Sequence, residues 1–334
     1  MSVDIHAHTI PESFISALGA ELPDLAPTIE QDAGSWHFRY PWGQRIGPVP
    51  PGMFDTGERL AAMDKQQVTM QALSVPPGHF LYDVEDHAQA AAAARLHNDA
   101  MIEMARAHPD RFVVLGTLPL QAPEAALAEL DRLSGIEQVA GLEFGTNVSG
   151  TGFDHPSLAE VWESVNAAGM GVVLHPNNFE GAPERMHTYH LRNFVGNPTD
   201  TTLAAGTLLF GGVLVKNPSL RIALLHGGGF LPYQIGRFEH GWRVRPEAHA
   251  QLDVSPRHLL DRFFFDTLTH DAASLRFLIE RVGPQRVCLG SDYPFDMADA
   301  DPVRTIRAAI ETDEMLESVL DVTPREFLTR RPRV

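Results

Sequence analysis

Cysteine is almost absent from this chain of 334 residues, since Cys288 is the only one. A single cysteine excludes an internal disulfide and a cysteine-built zinc site, and it is typical of a protein from a reducing compartment. We therefore expect a cytoplasmic protein. Any metal site must be built from histidine and carboxylate side chains.

Basic residues and long apolar runs are also scarce. The chain carries 26 Lys and Arg against 43 Asp and Glu, a formal net charge of −17, so nucleic acid and anionic membranes are not expected as partners. The longest uncharged apolar stretch, Thr202–Val215, is too short to span a bilayer. The first apolar segment already contains Asp4, His6 and His8, so we expect no cleavable targeting segment there.

Short β-type runs alternate with longer segments of helical periodicity along the whole chain. The predicted strands are Val3–His8, Thr69–Val75, Phe112–Thr117, Ala140–Phe144, Gly171–His175, Arg221–His226, Phe263–Thr267 and Arg286–Asp292. The predicted helices are Gly57–Gln67, Glu85–Ala107, Pro123–Leu133, Ser157–Ala168, Thr199–Val215, Leu231–Trp242, Ala272–Val282 and Pro302–Thr312.

This strict alternation of strands and helices favours one (β/α)8 TIM barrel domain over residues 1–334 rather than an open doubly wound sheet. No dinucleotide-binding fingerprint follows the first strand, which disfavours the Rossmann alternative. Residues 9–56, rich in Pro, Gly and aromatics, are interpreted as an irregular insertion over the site, and Asn177–Pro198 as a second excursion. Asp200 is a candidate N-cap for the helix that follows.

Polar side chains stand where four of the predicted strands end. "VDIHAH" contributes His6 and His8, "VVLHP" His175, "LLHGGG" His226 and "LGSDYPF" Asp292. In a closed barrel these strand ends converge on one mouth, where barrel enzymes build their sites. A lone histidine in an apolar strand is usually a hydrogen-bonded core residue, but this set indicates a site. Histidines plus a carboxylate, without cysteine, suit Zn²⁺, Mn²⁺, Fe²⁺ or Co²⁺.

Taken together, these motifs resemble the amidohydrolase superfamily, in the branch of the 2-amino-3-carboxymuconate-6-semialdehyde decarboxylases. The resemblance rests on "DIHAH", "VVLHP", "LLHGGG" and "LGSDYPF" in this order and spacing, with support from "RLAAMDKQQV" and "AHPDRFVVLGTLPLQ". It covers nearly the whole chain. "HGGG" also forms an oxyanion loop in serine hydrolases, but the chain contains no Gly-x-Ser-x-Gly. Its glycines are therefore interpreted as allowing close approach of the backbone to the metal pocket.

The resemblance implies a set of site residues: His6, His8, His175 and Asp292 as ligands of one divalent metal ion, and His226 as the acid/base beside it. Zn²⁺ is the first choice of metal and Mn²⁺ the second. Asp292 is also expected to accept a proton. Asp4 keeps the two-residue spacing of the strand face but gains no clear role.

The positions of the lysines indicate how many metal ions to expect. Binuclear members of the superfamily bridge two metals through a carboxylated lysine on a mid-barrel strand. The only lysines in this chain are Lys65 and Lys216, and neither lies at a predicted strand end. We therefore expect a mononuclear site.

A carboxylate substrate requires a cation, and the resemblance points to two arginines. Arg237 matches a substrate-binding arginine that such decarboxylases contribute across a dimer interface, which implies a homodimer; the alternative is a surface ion pair with Glu239. Arg45 is a weaker match to a second substrate arginine. Asn177 stands where the family has an aromatic residue after "HP". Further candidate pocket walls are His79, Phe80, Phe179 and Phe295, with simple loop packing as the alternative.

The chain is accordingly interpreted as a metal-dependent, non-oxidative decarboxylase of an unsaturated or aromatic carboxylate. A bound divalent metal lowers the pKa of its water towards ~7, and His226 exchanges protons beside it. A hydrolase of an amide, a lactone or a C–C bond on the same metal centre remains the alternative. A binding protein on the same barrel is disfavoured, because the proton carrier His226 is retained.

Overall fold

The structure is a computed structural model that describes residues 1–32, 35–41, 43, 45–177 and 183–330. Its strands are β1 (Val3–His8), β2 (Thr28–Asp32), β3 (Ser35–Arg39), β4 (Arg45–Val49), β5 (Met70–Ser74), β6 (Phe112–Gly116), β7 (Val139–Gly145), β8 (Gly171–His175), β9 (Arg221–Leu224), β10 (Phe263–Asp266) and β11 (Val287–Cys288).

Eight of these strands form one parallel sheet in the order β1-β5-β6-β7-β8-β9-β10-β11. Its first and last strands are joined by backbone hydrogen bonds, from Ile5 N to Leu289 O (3.0 Å) and from Asp292 N to His6 O (2.8 Å). The sheet therefore closes on itself, and the predicted (β/α)8 barrel is confirmed. We call this junction between β1 and residues 289–293 the seam.

The helices surround the barrel. They are α1 (Glu12–Glu21), α2 (Thr56–Gln66), α3 (His87–Ala107), α4 (Pro123–Ser134), α5 (Ala159–Ala168), α6 (Asn197–Phe210), α7 (Val213–Lys216), α8 (Leu231–Val244), α9 (Pro256–Leu260), α10 (Ala272–Val282), α11 (Pro302–Ala309), α12 (Asp313–Glu317) and α13 (Thr323–Leu328). None of them, over the described ranges, combines the length and the apolar content needed to cross a bilayer.

The alternation of side chains along the strands decides what faces the barrel interior. In β8, Val172 and Leu174 pack with the surrounding helices, whereas Val173 packs with the interior cluster that also contains Ala223 and Phe264. Since strand side chains alternate between faces, His175 lies on the same side as Val173. Apolar residues thus fill the interior below the ligand-bearing strand ends.

The predicted helix Thr199–Val215 is interrupted. Its chain forms α6 and then α7, because Gly212 between them has φ +72° and a Cβ there would lie 2.6 Å from the carbonyl oxygen of Gln251. The prediction that Asp200 caps this helix is also wrong. The helix begins at Asn197, and the Asp200 carboxylate accepts hydrogen bonds from Thr146 and from Asn177 N (3.1 Å) instead.

Residues 9–56 are more regular than predicted. They contain α1 and an antiparallel sheet of β2, β3 and β4, in which Ile29 faces Phe38 and Gln31 faces Trp36. The pattern is weak in the sequence because β2, "TIEQD", is mostly exposed and polar. Phe38 is buried against α1 and attaches this small sheet to the barrel.

Candidate metal centre

Five side chains converge at the carboxyl ends of the barrel strands. One nitrogen each of His6, His175 and His226 and one oxygen of Asp292 lie within 4.8 Å of one another. His8 is not part of this quartet, but its Nε2 lies 3.2 Å from Asp292 Oδ1, as does His6 Nε2. The structure therefore brings together every residue expected at the metal and the expected acid/base.

The three expected histidine ligands are held in one tautomer by their Nδ1 partners. His8 Nδ1 lies 2.9 Å from the carbonyl oxygen of Val75, and His175 Nδ1 lies 2.8 Å from that of Pro176. A carbonyl oxygen can only accept, so Nδ1 carries the proton in both rings. His6 Nδ1 lies 2.7 Å from Asp266 Oδ2 in the same way. In its neutral form, a ring so fixed offers the Nε2 lone pair to a metal.

Three of the atoms that face the centre have no well-oriented hydrogen-bond partner among the described residues. His6 Nε2, His8 Nε2 and Asp292 Oδ1 are all buried and unpaired in this sense. Buried polar atoms without a partner cost free energy, so such a group is expected to hold a ligand. Imidazole nitrogens plus one carboxylate oxygen fit a first-row divalent cation.

The charges of the cluster are strongly coupled. Burial, together with the neighbouring histidines, keeps the pKa of His175 well below its usual range, and burial also lowers that of His8. Burial acts in the same direction on His6, but Asp292 and Asp266 outweigh it and raise its pKa to about 10. Burial raises the pKa of Asp292, yet His6 and His226 hold it well below the usual carboxyl range.

Two of these residues have a left-handed backbone. His226 has φ +55° and Asp292 has φ +61°, a region that non-glycine residues rarely adopt and that clusters at functional sites. After His226 the glycines of "HGGG" let the turn pack tightly: a Cβ at Gly228 would lie 2.5 Å from the ring of Phe265. The glycines thus serve close packing of the turn that carries His226.

Two supporting carboxylates are absent from the sequence prediction. Asp266 accepts from His6 Nδ1 and from Gly227 N (2.7 Å), so it orients a ligand and the "HGGG" turn together. Glu143 on β7 accepts from Ser74 Oγ (3.0 Å), which lies 3.2 Å from His8 Nδ1, and burial raises the pKa of Glu143 to about 8. Both carboxylates lie at or near the carboxyl end of a predicted barrel strand. That position alone could have indicated from the sequence that they belong to the site.

A cavity of about 670 Å³ opens over His226 and Asp292. Its walls are mainly apolar, with a polar rim; the lining includes Asn193, Phe194, Asn197, Tyr233, Leu268, Thr269, His270, Phe277 and Met297. No Lys or Arg is among the described residues that line it. The size and the apolar walls suit a small planar ligand.

The three predicted substrate-binding residues lie apart from this cavity. Asn177 lines a separate cavity with Tyr82. Arg45 lies on β4, 3.4 Å from Asp32 and 3.8 Å from Glu30. Arg237 is exposed on α8.

The expected alternative for Arg237, an ion pair with Glu239, is wrong. Glu239 accepts from Arg243 (2.7 Å) and from Ser255. Arg237 has no carboxylate partner within the part of the chain that the structure describes.

Of the four residues expected to form pocket walls, one lies at the metal centre. Phe295 lies against the metal centre, with its ring centroid 5.3 Å from that of His8. His79 and Phe80 are buried in the protein core and do not line the cavity over His226. Phe179 lies outside the described residues.

Comparison with known proteins gives one family. A family profile described as "Amidohydrolase" matches residues 3–330. A 2-amino-3-carboxymuconate-6-semialdehyde decarboxylase of Dictyostelium discoideum is 34% identical over 292 residues, 87% of this chain and 81% of its own. A gamma-resorcylate decarboxylase of a Rhizobium strain is 29% identical over 262 residues, 72% of this chain and 77% of its own.

The fold has the same relatives. The crystal structure of 5-carboxyvanillate decarboxylase from Sphingomonas paucimobilis superposes with a TM-score of 0.83 at 25% identity, covering 99% of each chain.

Replacing Asp266 tests how the centre is supported. In Asp266→Asn, one amide oxygen still accepts from the backbone of the "HGGG" turn, but the NH₂ group faces His6 Nδ1. His6 must then move its proton to Nε2, where it blocks a metal. We expect metal affinity, measured by chelator competition with Zn²⁺, to fall about 10- to 100-fold.

Asp271→Asn is the matched control for this substitution. Asp271 is exposed and caps α10 through a side-chain oxygen, which asparagine also supplies, so this variant should keep both its stability and its metal affinity. Wild-type affinity in Asp266→Asn would contradict the proposed support.

Proposed function

This chain belongs to the amidohydrolase family, and we propose that it is a metal-dependent, non-oxidative decarboxylase of an unsaturated or aromatic carboxylate. The observation that carries the proposal is the convergence of His6, His175 and Asp292 beside His226, with His8 Nε2 3.2 Å from Asp292 Oδ1. Decarboxylases among the most similar relatives support the same reaction. We also propose that it acts in the cytoplasm.

We assign His6, His8, His175 and Asp292 as ligands of one divalent ion, with Zn²⁺ the first choice and Mn²⁺ the second. The orientation of each ring by its Nδ1 partner supports this assignment. When bound there, a divalent ion acts as a Lewis acid that draws electron density from substrate oxygens. Lys65 on α2 and Lys216 on α7 lie away from the barrel strands, which supports a single ion.

His226 is proposed to deliver the proton that replaces the carboxylate. Its Nε2 lies 3.6 Å from Asp292 Oδ2, so the ring stands directly beside one of the assigned ligands. The ring lines the cavity, where it can reach a substrate carbon. The proton forms a new C–H bond, the C–C bond to the carboxylate breaks, and CO₂ leaves; His226 then regains a proton from solvent.

The apolar cavity supports a planar substrate. Phe194, Leu268 and Phe277 offer faces for a ring or a conjugated chain, while Thr269 and His270 can bind its hydroxyl or amino substituents. The described lining has no Lys or Arg for the carboxylate, so the metal, or an arginine from outside this lining, is proposed to bind it.

We propose a homodimer in which Arg237 supplies that cation to the partner's cavity. Arg237 lies one helical turn after Tyr233, a residue of the cavity rim, and thus on the same face of α8. Three apolar side chains are exposed here: Phe194 in the segment before α6, Leu203 on α6 and Tyr233 on α8. Exposed apolar patches of this kind are typical of protein interfaces.

Isotope labelling tests the reaction. A screen of aromatic and muconate-type carboxylates, followed by loss of ultraviolet absorbance, should identify a substrate that releases CO₂. In D₂O the decarboxylated product should carry one deuterium at the carbon that held the carboxylate, and in H₂¹⁸O it should carry no ¹⁸O. A hydrolase of an amide, a lactone or a C–C bond would instead place ¹⁸O in its product.

His226→Asn separates the proton carrier from the metal in the same assay. We expect turnover to fall about 10²- to 10⁴-fold, because the proton donor is lost, while metal content stays at the wild-type value. His87→Asn, an exposed position on α3, is the matched control and should keep full activity. Full activity of His226→Asn would refute the assigned role.

Mixing two inactive variants tests the role of Arg237. Arg237→Met and His226→Asn should each be inactive alone. Co-expressed, they form mixed dimers with one intact site and should recover roughly a quarter of wild-type activity. No recovery would show that Arg237 does not act across an interface, and full activity of Arg237→Met would show that it does not bind substrate.

A further inference from the structure

Asp4 is completely buried in β1, two residues before the expected ligand His6. The sequence leaves it without a role, although it shares the spacing of the two histidines. In the structure it is not part of the converging set of His6, His175, His226 and Asp292. Its carboxylate lies at the seam, where β1 meets the segment that carries Asp292.

Both oxygens of this carboxylate are fully used. Oδ1 accepts from His6 N (3.0 Å) and from Ser291 N (3.1 Å). Oδ2 accepts from Ser291 Oγ (2.6 Å) and from Gln71 Nε2 (3.1 Å). One side chain therefore binds β1, β5 and the turn that precedes Asp292, and charge-assisted hydrogen bonds of this kind are the stronger ones.

The turn needs such support. Asp292 has the unfavourable φ of +61°, and β11 ends at Cys288, before this turn begins. Direct backbone support consists of a few bonds along the seam, such as Asp292 N to His6 O (2.8 Å). Asp4 adds two bonds to Ser291, the residue directly before Asp292.

We propose that Asp4 is a positioning residue, whose carboxylate fixes the Ser291–Asp292 turn against His6 and so sets the distance between two metal ligands. The proposal rests on the metal centre assigned above. It predicts that Asp4 controls metal affinity without touching the metal.

Asp4, Gln71 and Arg59 form a hydrogen-bonded series in which each polar atom has a fixed role as donor or acceptor. The support by Asp4 therefore depends on Oδ2 being an acceptor. Gln71 donates to Asp4 through Nε2, and its Oε1 accepts from Arg59 Nη1 (3.0 Å). Arg59 also donates to Gly52 O (2.8 Å) and to the carbonyl oxygen of His8, and it is fully buried. The Gln71 amide therefore cannot turn over without placing its NH₂ group against the guanidinium.

Asp4→Asn disrupts one contact of this hydrogen-bonded series, the one between residue 4 and Gln71. The asparagine oxygen can still accept from His6 N and Ser291 N, but its NH₂ group meets the NH₂ group of Gln71. Two donors facing each other in a buried site force the pair apart, and the Ser291 turn moves with the substituted side chain. We expect the affinity for Zn²⁺ to fall about 10- to 100-fold, as for other residues that orient ligands.

A swap of the two side chains should restore the contact. In Asp4→Asn with Gln71→Glu, the new carboxylate accepts from the asparagine NH₂ and from Arg59, and the net charge is that of the wild type. Gln71→Glu alone places two carboxylates together and should also lose affinity. The double variant should recover most of the wild-type Zn²⁺ affinity in chelator competition, and the d–d spectrum of its Co²⁺ form should match the wild type.

Two further variants separate loss of the Asp4 contact from a general loss of stability. Ser291→Ala removes one hydrogen bond to Asp4 without a new clash and should weaken Zn²⁺ binding less than Asp4→Asn does. Arg221→Met is the stability control: Arg221 is buried at the amino end of β9, where it binds Gly169 O (2.8 Å), at the opposite end of the barrel. It should lower Tm and keep the metal affinity.

The outcomes separate this proposal from the one on which it rests. If the wild-type chain binds no divalent metal, the metal centre itself is wrong. If the wild type binds metal and Asp4→Asn binds it equally well, or if the swap is no better than Asp4→Asn alone, the metal centre stands and the role of Asp4 is refuted. If Asp4→Asn does not fold, the test passes to Ser291→Ala. An unchanged Zn²⁺ affinity of that variant would refute the role of Asp4.

Discussion

Closure of the barrel at the seam is the constraint on which the metal centre depends. His6 and His8 come from the first strand and Asp292 follows the last, so they lie at opposite ends of the sequence and meet only because the sheet closes. The backbone bonds of the seam and the carboxylate of Asp4 hold this junction. His175 and His226 are then brought in by β8 and by the turn after β9.

The second constraint is electrostatic. The centre gathers several titratable groups in a buried place, and their orientation is set by acceptors outside the centre: Asp266, Val75 O and Pro176 O. Each acceptor fixes a proton on Nδ1 and leaves Nε2 facing inwards. Burial of His6 Nε2, His8 Nε2 and Asp292 Oδ1 without a well-oriented partner is unfavourable, and a divalent cation bound between them would offset that cost. The same geometry that destabilises the metal-free centre therefore favours metal binding.

Much of this arrangement could be predicted from the sequence. The strands with strong apolar runs, such as Val3–His8 and Gly171–His175, agree with the structure at both ends, because buried parallel strands carry the clearest pattern. The converging histidines and Asp292 followed from their positions at strand ends. The small sheet within residues 9–56 was missed, because its strands are short and largely exposed.

Other features depend on contacts that no local pattern contains. Asp266 becomes a support only when barrel closure brings the end of β10 to His6, and Asp4 acquires its role only when Ser291 arrives from the far end of the chain. The break between α6 and α7 depends on packing of Gly212 against Gln251. How a carboxylate is recognised is equally non-local, since the proposed role of Arg237 requires a second subunit.

Metal titration of the chelator-treated wild-type protein, followed by calorimetry and elemental analysis, shows directly whether the converging side chains bind a divalent ion. We expect one divalent ion to bind per chain. Absence of binding would contradict the centre. Two ions bound with similar affinity would contradict its mononuclear character.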